Sequence, residues 1–132
     1  MEKYNINNVK APLERIEDHR GHIVDVFYDD NIKHITIIKT KPNNIRGNHY
    51  HKKTEQRMLI LSGKMEYWYK DINDPGEAKM EMILKDEMVF TPINEIHALR
   101  FDEDTEFMVF TSGERGGKDY EDDTYRVSNI IV

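Results

Sequence analysis

The chain predicts an all-β fold, a sandwich or closed barrel of the double-sheet jelly-roll kind, and three observations carry that prediction. Apolar residues fall in short runs, many alternating with polar ones, which is the period-2 signature of half-buried strands. Clusters of Gly, Pro, Asn or Asp interrupt the runs about every 8 to 12 residues, where turns require them. No window of ordinary helix length carries a clean apolar stripe of helical period. With no helical layer to cover a sheet, the strands must bury their apolar faces against one another.

In chain order, His22–Tyr28 is the first candidate strand and ends in the acidic turn at 29–31. His34–Thr40, rich in β-branched residues, runs to the turn at 41–44 around Pro42. Gly47–His51 and Gln56–Leu61 follow, and Ser62-Gly63-Lys64 turns the chain into the alternating Met65–Lys70. After the Asp74-Pro75-Gly76 turn come Ala78–Leu84, Met88–Phe90, His97–Phe101 and Glu106–Thr111, separated by turns at 85–87, 92–95 and 102–105. Between Asn5 and Arg20 the expectation is a short helical turn, limited by Pro12. Residues 112–127, with the acidic run Asp119–Asp123, read as a solvated surface loop, and 127–132 as a returning edge strand. No repeat, low-complexity tract or linker divides the sequence, so residues 1–132 are expected to form one domain.

Bulk composition removes several functions. With 19 Lys and Arg against 25 Asp and Glu, the net charge is −6 and no basic stripe offers itself to nucleic acid. There is no cysteine, which excludes disulfides, thiolate metal sites and Cys nucleophiles. The opening residues lack the apolar core of a signal peptide, and no apolar stretch approaches a membrane span. A cytoplasmic protein with no membrane partner is the expectation.

The chemistry concentrates in the run from Arg46 to Gly63 and in the segment ending at His97. Residues two apart on a strand point to the same face, so His49 and His51 project together. Glu55 lies four residues beyond His51, and His97 a further 42 on. Polar side chains inside a barrel are costly unless they bind something. Three imidazoles and one carboxylate meeting there would make a first-row metal site with positions left for water or substrate.

These residues resemble the cupin family. Its first motif is Gly, five residues, His-x-His, three or four residues, Glu, six residues, Gly; His49, His51 and Glu55 match it, with Gly63 one position late. Its second motif contains Pro-x-Gly, two residues, His, and Pro92 and His97 match. Asn43, Asp86 and Asn94 stand at the motif glycines, and Phe101 replaces a closing Asn. Asn and Asp tolerate a left-handed backbone best among non-glycine residues, so the turns are expected to survive. The resemblance implies a cupin jelly-roll barrel with His49, His51, Glu55 and His97 as ligands of a divalent metal (Zn, Fe, Mn, Co or Ni). Arg-Gly-Asn-His-Tyr-His is further similar to small cupins acting on nucleotide-linked sugars: WxcM-like dTDP-sugar ketoisomerases and rhamnose-pathway 3,5-epimerases. Asp-His-Arg-Gly at 18–21 looks like a stretch near the start of those proteins. The Gly-Asn-His pattern with Asp123-Thr124-Tyr125 resembles the cupin domain of capsule epimerase-reductases. Some ketoisomerase relatives use the His pair as acid–base groups without metal.

The resemblance implies an isomerase or epimerase acting on a nucleotide-diphosphate 4-keto sugar in surface polysaccharide or deoxysugar biosynthesis. Proton removal beside a carbonyl needs a near-neutral base, which His49 or His51 supplies, with Tyr67 as the other candidate proton carrier. Arg46 would hold the substrate diphosphate or carbonyl. Arg57 is expected on the same side as Glu55, paired with it or with an anionic ligand, and Lys53 is carried over as a substrate contact from an otherwise exposed turn. Tyr67 and Tyr69 share a strand face that also suits core packing, and Glu95 is a turn residue near the pocket rim. Relatives of this kind form dimers, so a homodimer is expected. The alternatives are a metal-dependent dioxygenase or lyase on a small organic acid, and a non-catalytic sugar- or metal-binding cupin.

Overall fold

The alternating runs pair into antiparallel ladders. The structure, a computed structural model, describes residues 1–113 and 117–132. Its elements are β1 (Glu2–Asn5), β2 (Arg15–Asp18), β3 (Gly21–Val24), β4 (His34–Thr40), β5 (Asn44–Tyr50), β6 (Gln56–Ser62), β7 (Met65–Asp71), β8 (Lys79–Ile83), β9 (Glu87–Thr91), β10 (Glu95–Phe101), β11 (Thr105–Thr111), α1 (Gly117–Asp122) and β12 (Tyr125–Arg126). One sheet has the order β1-β9-β6-β11-β4 and the other β12-β5-β10-β7-β8, while β2 and β3 form a separate hairpin. Non-consecutive neighbours in both sheets give the jelly roll that the resemblance implies.

Alternation explains the core. Met58, Ile60, Val89, Phe107 and Val109 of the first sheet face Met65, Tyr67, Ile83, Leu99 and Phe101 of the second in one buried cluster. Each fully buried aliphatic or aromatic side chain contributes about 1.5–3 kcal/mol relative to exposure. The first sheet is apolar on its outer face too: Ile6, Leu59, Met88 and Phe110 form a second cluster with Val24, Val26, Phe27 and Ile32 packed against it. That outer cluster shortens the predicted strand His22–Tyr28, which pairs only through Val24. Beyond it, Val26 and Phe27 lie down on the sheet instead of extending the ladder.

Turn chemistry matches the sequence closely. Asn43, Asp86 and Asn94, which stand where the motif has glycines, adopt φ of 64°, 68° and 61°. The helical turn expected between Asn5 and Arg20 does not form; β2 pairs with β3 there, and Ile16 lies opposite Ile23. At the far end the expectation reverses. The acidic run is helical in α1, helped by Asp119 in its first turn and a Lys118–Asp122 pair at 2.6 Å. The returning strand is only Tyr125–Arg126, not 127–132. Among the described residues no helix is long and apolar enough to cross a membrane.

Candidate functional site

Antiparallel pairing brings the chemistry to one end of the barrel. The end of β5 lies beside the start of β10, so His49 and His97 are register partners, with a bulge immediately after His97. Gly47 makes that approach possible: its φ is 86°, and a Cβ there would stand 2.7 Å from the His97 carbonyl oxygen. His51 lies just past the end of β5 and turns to the same side as His49. The ring centroids are 4.9 Å apart for His49–His51, 4.7 Å for His49–His97 and 5.7 Å for His51–His97.

Backbone carbonyls orient two of the rings. His51 Nδ1 lies 2.8 Å from the Asp123 carbonyl oxygen, and His97 Nδ1 lies 3.2 Å from that of Glu95. A carbonyl can only accept, so each Nδ1 carries the hydrogen and each Nε2 of the neutral ring keeps its lone pair. Burial, with the neighbouring His49 and His51 adding to it and the Glu95 hydrogen bond opposing it, pushes the His97 pKa down to about 3. His97 is therefore a neutral imidazole at physiological pH.

The three rings offer nitrogen atoms within 4.8 Å of one another, a donor set that suits a first-row divalent metal. Ligating histidines commonly have their other ring nitrogen hydrogen-bonded to a carbonyl in this way, which fixes the ring and its tautomer. Glu55 does not join them: it is exposed, and its backbone is tied to Ser112. Gln56 points inward instead, 4% exposed and lining the cavity. The spacing could have shown this. A four-residue spacer from His51 reaches Gln56, and a six-residue spacer from Gln56 reaches Gly63, which removes the one-position mismatch. The expected carboxylate position is thus an uncharged amide.

The cavity beside the histidines has a volume of about 170 Å³ and is lined by Ile38, Arg46, Gly47, His49, Gln56, Met58, His97, Leu99, Phe107, Val109 and Tyr120. Arg46 sits at its mouth, donating from Nε to Thr40 Oγ1 at 2.8 Å. Arg57 is on the opposite face of β6, as alternation with Gln56 requires. Its guanidinium lies 3.4 Å from Asp30 and over the rings of Phe27 and Phe90, so it meets neither Glu55 nor the cavity. Lys53 is exposed on its turn, away from the cavity lining. Tyr67 is fully buried beneath His97, outside that lining. Its hydroxyl donates to Glu95 Oε1 at 2.8 Å and accepts from Thr91 Oγ1 at 2.7 Å. Burial and the Glu95 carboxylate hold its pKa well above the ordinary phenol value. Glu95 also receives the Met1 amino group at 2.7 Å, so it belongs to this buried network and not to a rim.

Sequence reasoning missed Gln56, Tyr120 and Asp123. Tyr120 projects from α1 into the cavity wall, with its ring 5.3 Å from that of His51. Asp123 is 8% exposed. Both fall in a polar stretch whose composition resembles a loop, and the only sequence signal was the Asp-Thr-aromatic resemblance at 123–125.

A family profile described as polysaccharide biosynthesis C-terminal domain matches residues 16–125. No curated protein matches the sequence. Among solved structures, a 3,4-ketoisomerase from Helicobacter canadensis superposes with a TM-score of 0.75 at 22% identity, covering 96% of this chain and 90% of that one. A dTDP-4-dehydrorhamnose 3,5-epimerase from Sulfolobus tokodaii gives 0.70 at 17% identity, over 86% of this chain and 73% of that one. The capsular polysaccharide assembling protein CapF from Staphylococcus aureus gives 0.66 at 23% identity, with 89% of this chain matching only 35% of that protein. At these identities the likeness establishes a shared cupin-type fold.

Proposed function

The chain belongs to the polysaccharide biosynthesis C-terminal domain family, and from that premise we propose that it isomerises or epimerises a 4-keto sugar carried on a nucleoside diphosphate. The observation that carries the reading is a small cavity lined by His49, the neutral His97 and Arg46. At about 170 Å³ the cavity is smaller than the roughly 300–1,000 Å³ that encloses a drug-sized ligand. It suits one sugar ring, with the diphosphate outside near Arg46.

Proton transfer then divides among the side chains by position and basicity. His49 lines the cavity and is the preferred base, whereas His51 is set behind it and His97 is too weakly basic to carry a proton near neutrality. Tyr120, which lines the cavity as Tyr67 does not, takes the phenol's part in returning the proton. A divalent metal, held by His49, His51 and His97, would supply Lewis-acid stabilisation of the developing enolate oxygen; with it bound, His49 would be a ligand and Tyr120 the remaining proton carrier.

The reading includes a homodimer. Ile35 and Ile37 stand 61% and 58% exposed on the edge strand β4, and the hairpin leaves Ile16 and Ile23 uncovered. Apolar side chains grouped on an edge strand favour a partner surface. Sedimentation of the wild type as a monomer would remove this part.

The test is proton exchange. In D₂O the protein should introduce deuterium beside the carbonyl of a dTDP- or UDP-linked 4-keto sugar, read by NMR, and Arg46→Ala should weaken dTDP binding. Absence of exchange across these sugars would overturn the enzymatic reading.

A further inference from the structure

We propose that Asp123 is a positioning residue for the site: it clamps the turn after the His-x-His segment and fixes the orientation and tautomer of His51. The proposal deepens the reading of the site given above, but its test needs no substrate.

His51 needs such support because the sheet does not reach it. β5 ends at Tyr50, and its outer neighbour is only the two-residue β12. The segment 120–126 replaces the missing framework. The Asp123 carboxylate accepts hydrogen bonds from the backbone N–H groups of Lys52 at 2.9 Å, Lys53 at 3.1 Å and Thr54 at 2.9 Å. The same residue's carbonyl accepts from His51 Nδ1 at 2.8 Å. One residue thus holds the imidazole and the three peptide groups that follow it.

Its neighbours extend the clamp. Tyr125 pairs with Tyr50 and Arg126 with His49 in the ladder, and the Tyr50 and Tyr125 rings stack at 5.2 Å. Thr124 Oγ1 donates to the Tyr120 carbonyl at 2.7 Å, securing the turn from which Tyr120 reaches the cavity wall. Removing the carboxylate frees the 52–54 turn and lets the Asp123 carbonyl drift from His51. The ring is then free to move its hydrogen to Nε2, which removes the lone pair that either metal binding or base catalysis uses. Asp123 does not line the cavity; it acts through His51.

Long-range ¹H–¹⁵N NMR of ¹⁵N-histidine protein reads the tautomer directly, with His51 assigned by comparison with His51→Gln. The wild type should show His51 protonated at Nδ1, and Asp123→Ala should shift it toward the Nε2–H form. In the same samples Co²⁺ binding, followed by visible absorbance, should weaken about 10–100-fold, the usual cost of losing a group that orients a ligating histidine. Asp123→Asn, which keeps one acceptor oxygen, should move both readouts less, and the exposed Asp122→Ala should move neither. Native tautomer in a folded Asp123→Ala overturns the proposal. If that variant does not fold, Asp123→Asn decides, and an unshifted His51 in it has the same consequence. A wild type that takes up no Co²⁺ removes the metal reading and leaves the tautomer to judge this one.

Discussion

The two ends of the barrel interior are built from the same strands and have opposite characters. On β6 the inward positions run from Gln56 to Met58 and Ile60, and on β10 from His97 to Leu99 and Phe101. At one end they enclose a cavity lined by His49, His97 and Arg46, with His51 set behind it; at the other, Phe101, Met65 and Ile83 leave no exposed surface at all. The change takes one inward step per strand. Because neighbours are antiparallel, the starts of β6 and β10 and the end of β5 all fall at the cavity end. Stability and chemistry are therefore separated along the barrel axis, although not by domain or by sheet.

The largest effect should come from breaking the closed end. Phe101 is fully buried, with its ring 5.6 Å from that of Phe107. Phe101→Ala should cost about 3–5 kcal/mol, the sum of lost transfer energy and cavity formation. Urea unfolding measures it, and a loss below about 1 kcal/mol would mean that the closed end is not where stability resides.

The open end should instead show itself through pH. His97 is neutral in the folded chain down to a pKa of about 3, while the unfolded chain takes up a proton near the ordinary 6.5. Between those values the unfolded state binds more protons, so stability falls as pH falls, by up to about 1.4 kcal/mol per unit. Above pH 6.5 this contribution is fully present and flat. Metal-free protein should thus lose about 1.5–2 kcal/mol between pH 6.5 and 5, before the carboxylates titrate. His97→Asn should flatten the slope over that window, and an unchanged slope would assign it to other groups.

The closed end was legible in the sequence, and the open end only in part. Period-2 alternation puts Met65 and Phe101 inward with no knowledge of partners, and the turn residues Asn43, Asp86 and Asn94 declare their backbone by type. The three histidines were legible because two stand two residues apart at the end of a candidate strand and the third follows a recognisable turn. Glu55 misled because charge outweighed spacing, although the face of a strand changes with every residue and a one-position slip reverses it. Arg57 was drawn inward by the same slip. Tyr120 and Asp123 were hidden for a different reason: the Tyr120 ring contact with His51 and the Asp123 hydrogen bonds to residues 51–54 are long-range, which local composition does not encode.

The smallest expected effect sharpens the contrast further, and it concerns Gln56. Its side chain is buried at the cavity wall, on the strand that carries Met58 and Ile60 deeper in. An amide at a buried position contributes less to stability than an aliphatic group of similar size, unless it is fully hydrogen-bonded. If the cavity end is organised for binding, Gln56→Leu should leave stability unchanged or raise it by less than about 1 kcal/mol. The same change should lower deuterium exchange into the nucleotide sugar, because the leucine offers the sugar no hydrogen bond. Urea unfolding and the exchange assay on one preparation separate the two effects. A destabilisation above about 2 kcal/mol would show that the amide is a structural bond of the barrel. In that case the boundary between the two ends lies nearer the histidines, between Gln56 and His97 across the cavity rather than between Gln56 and Met58 along β6.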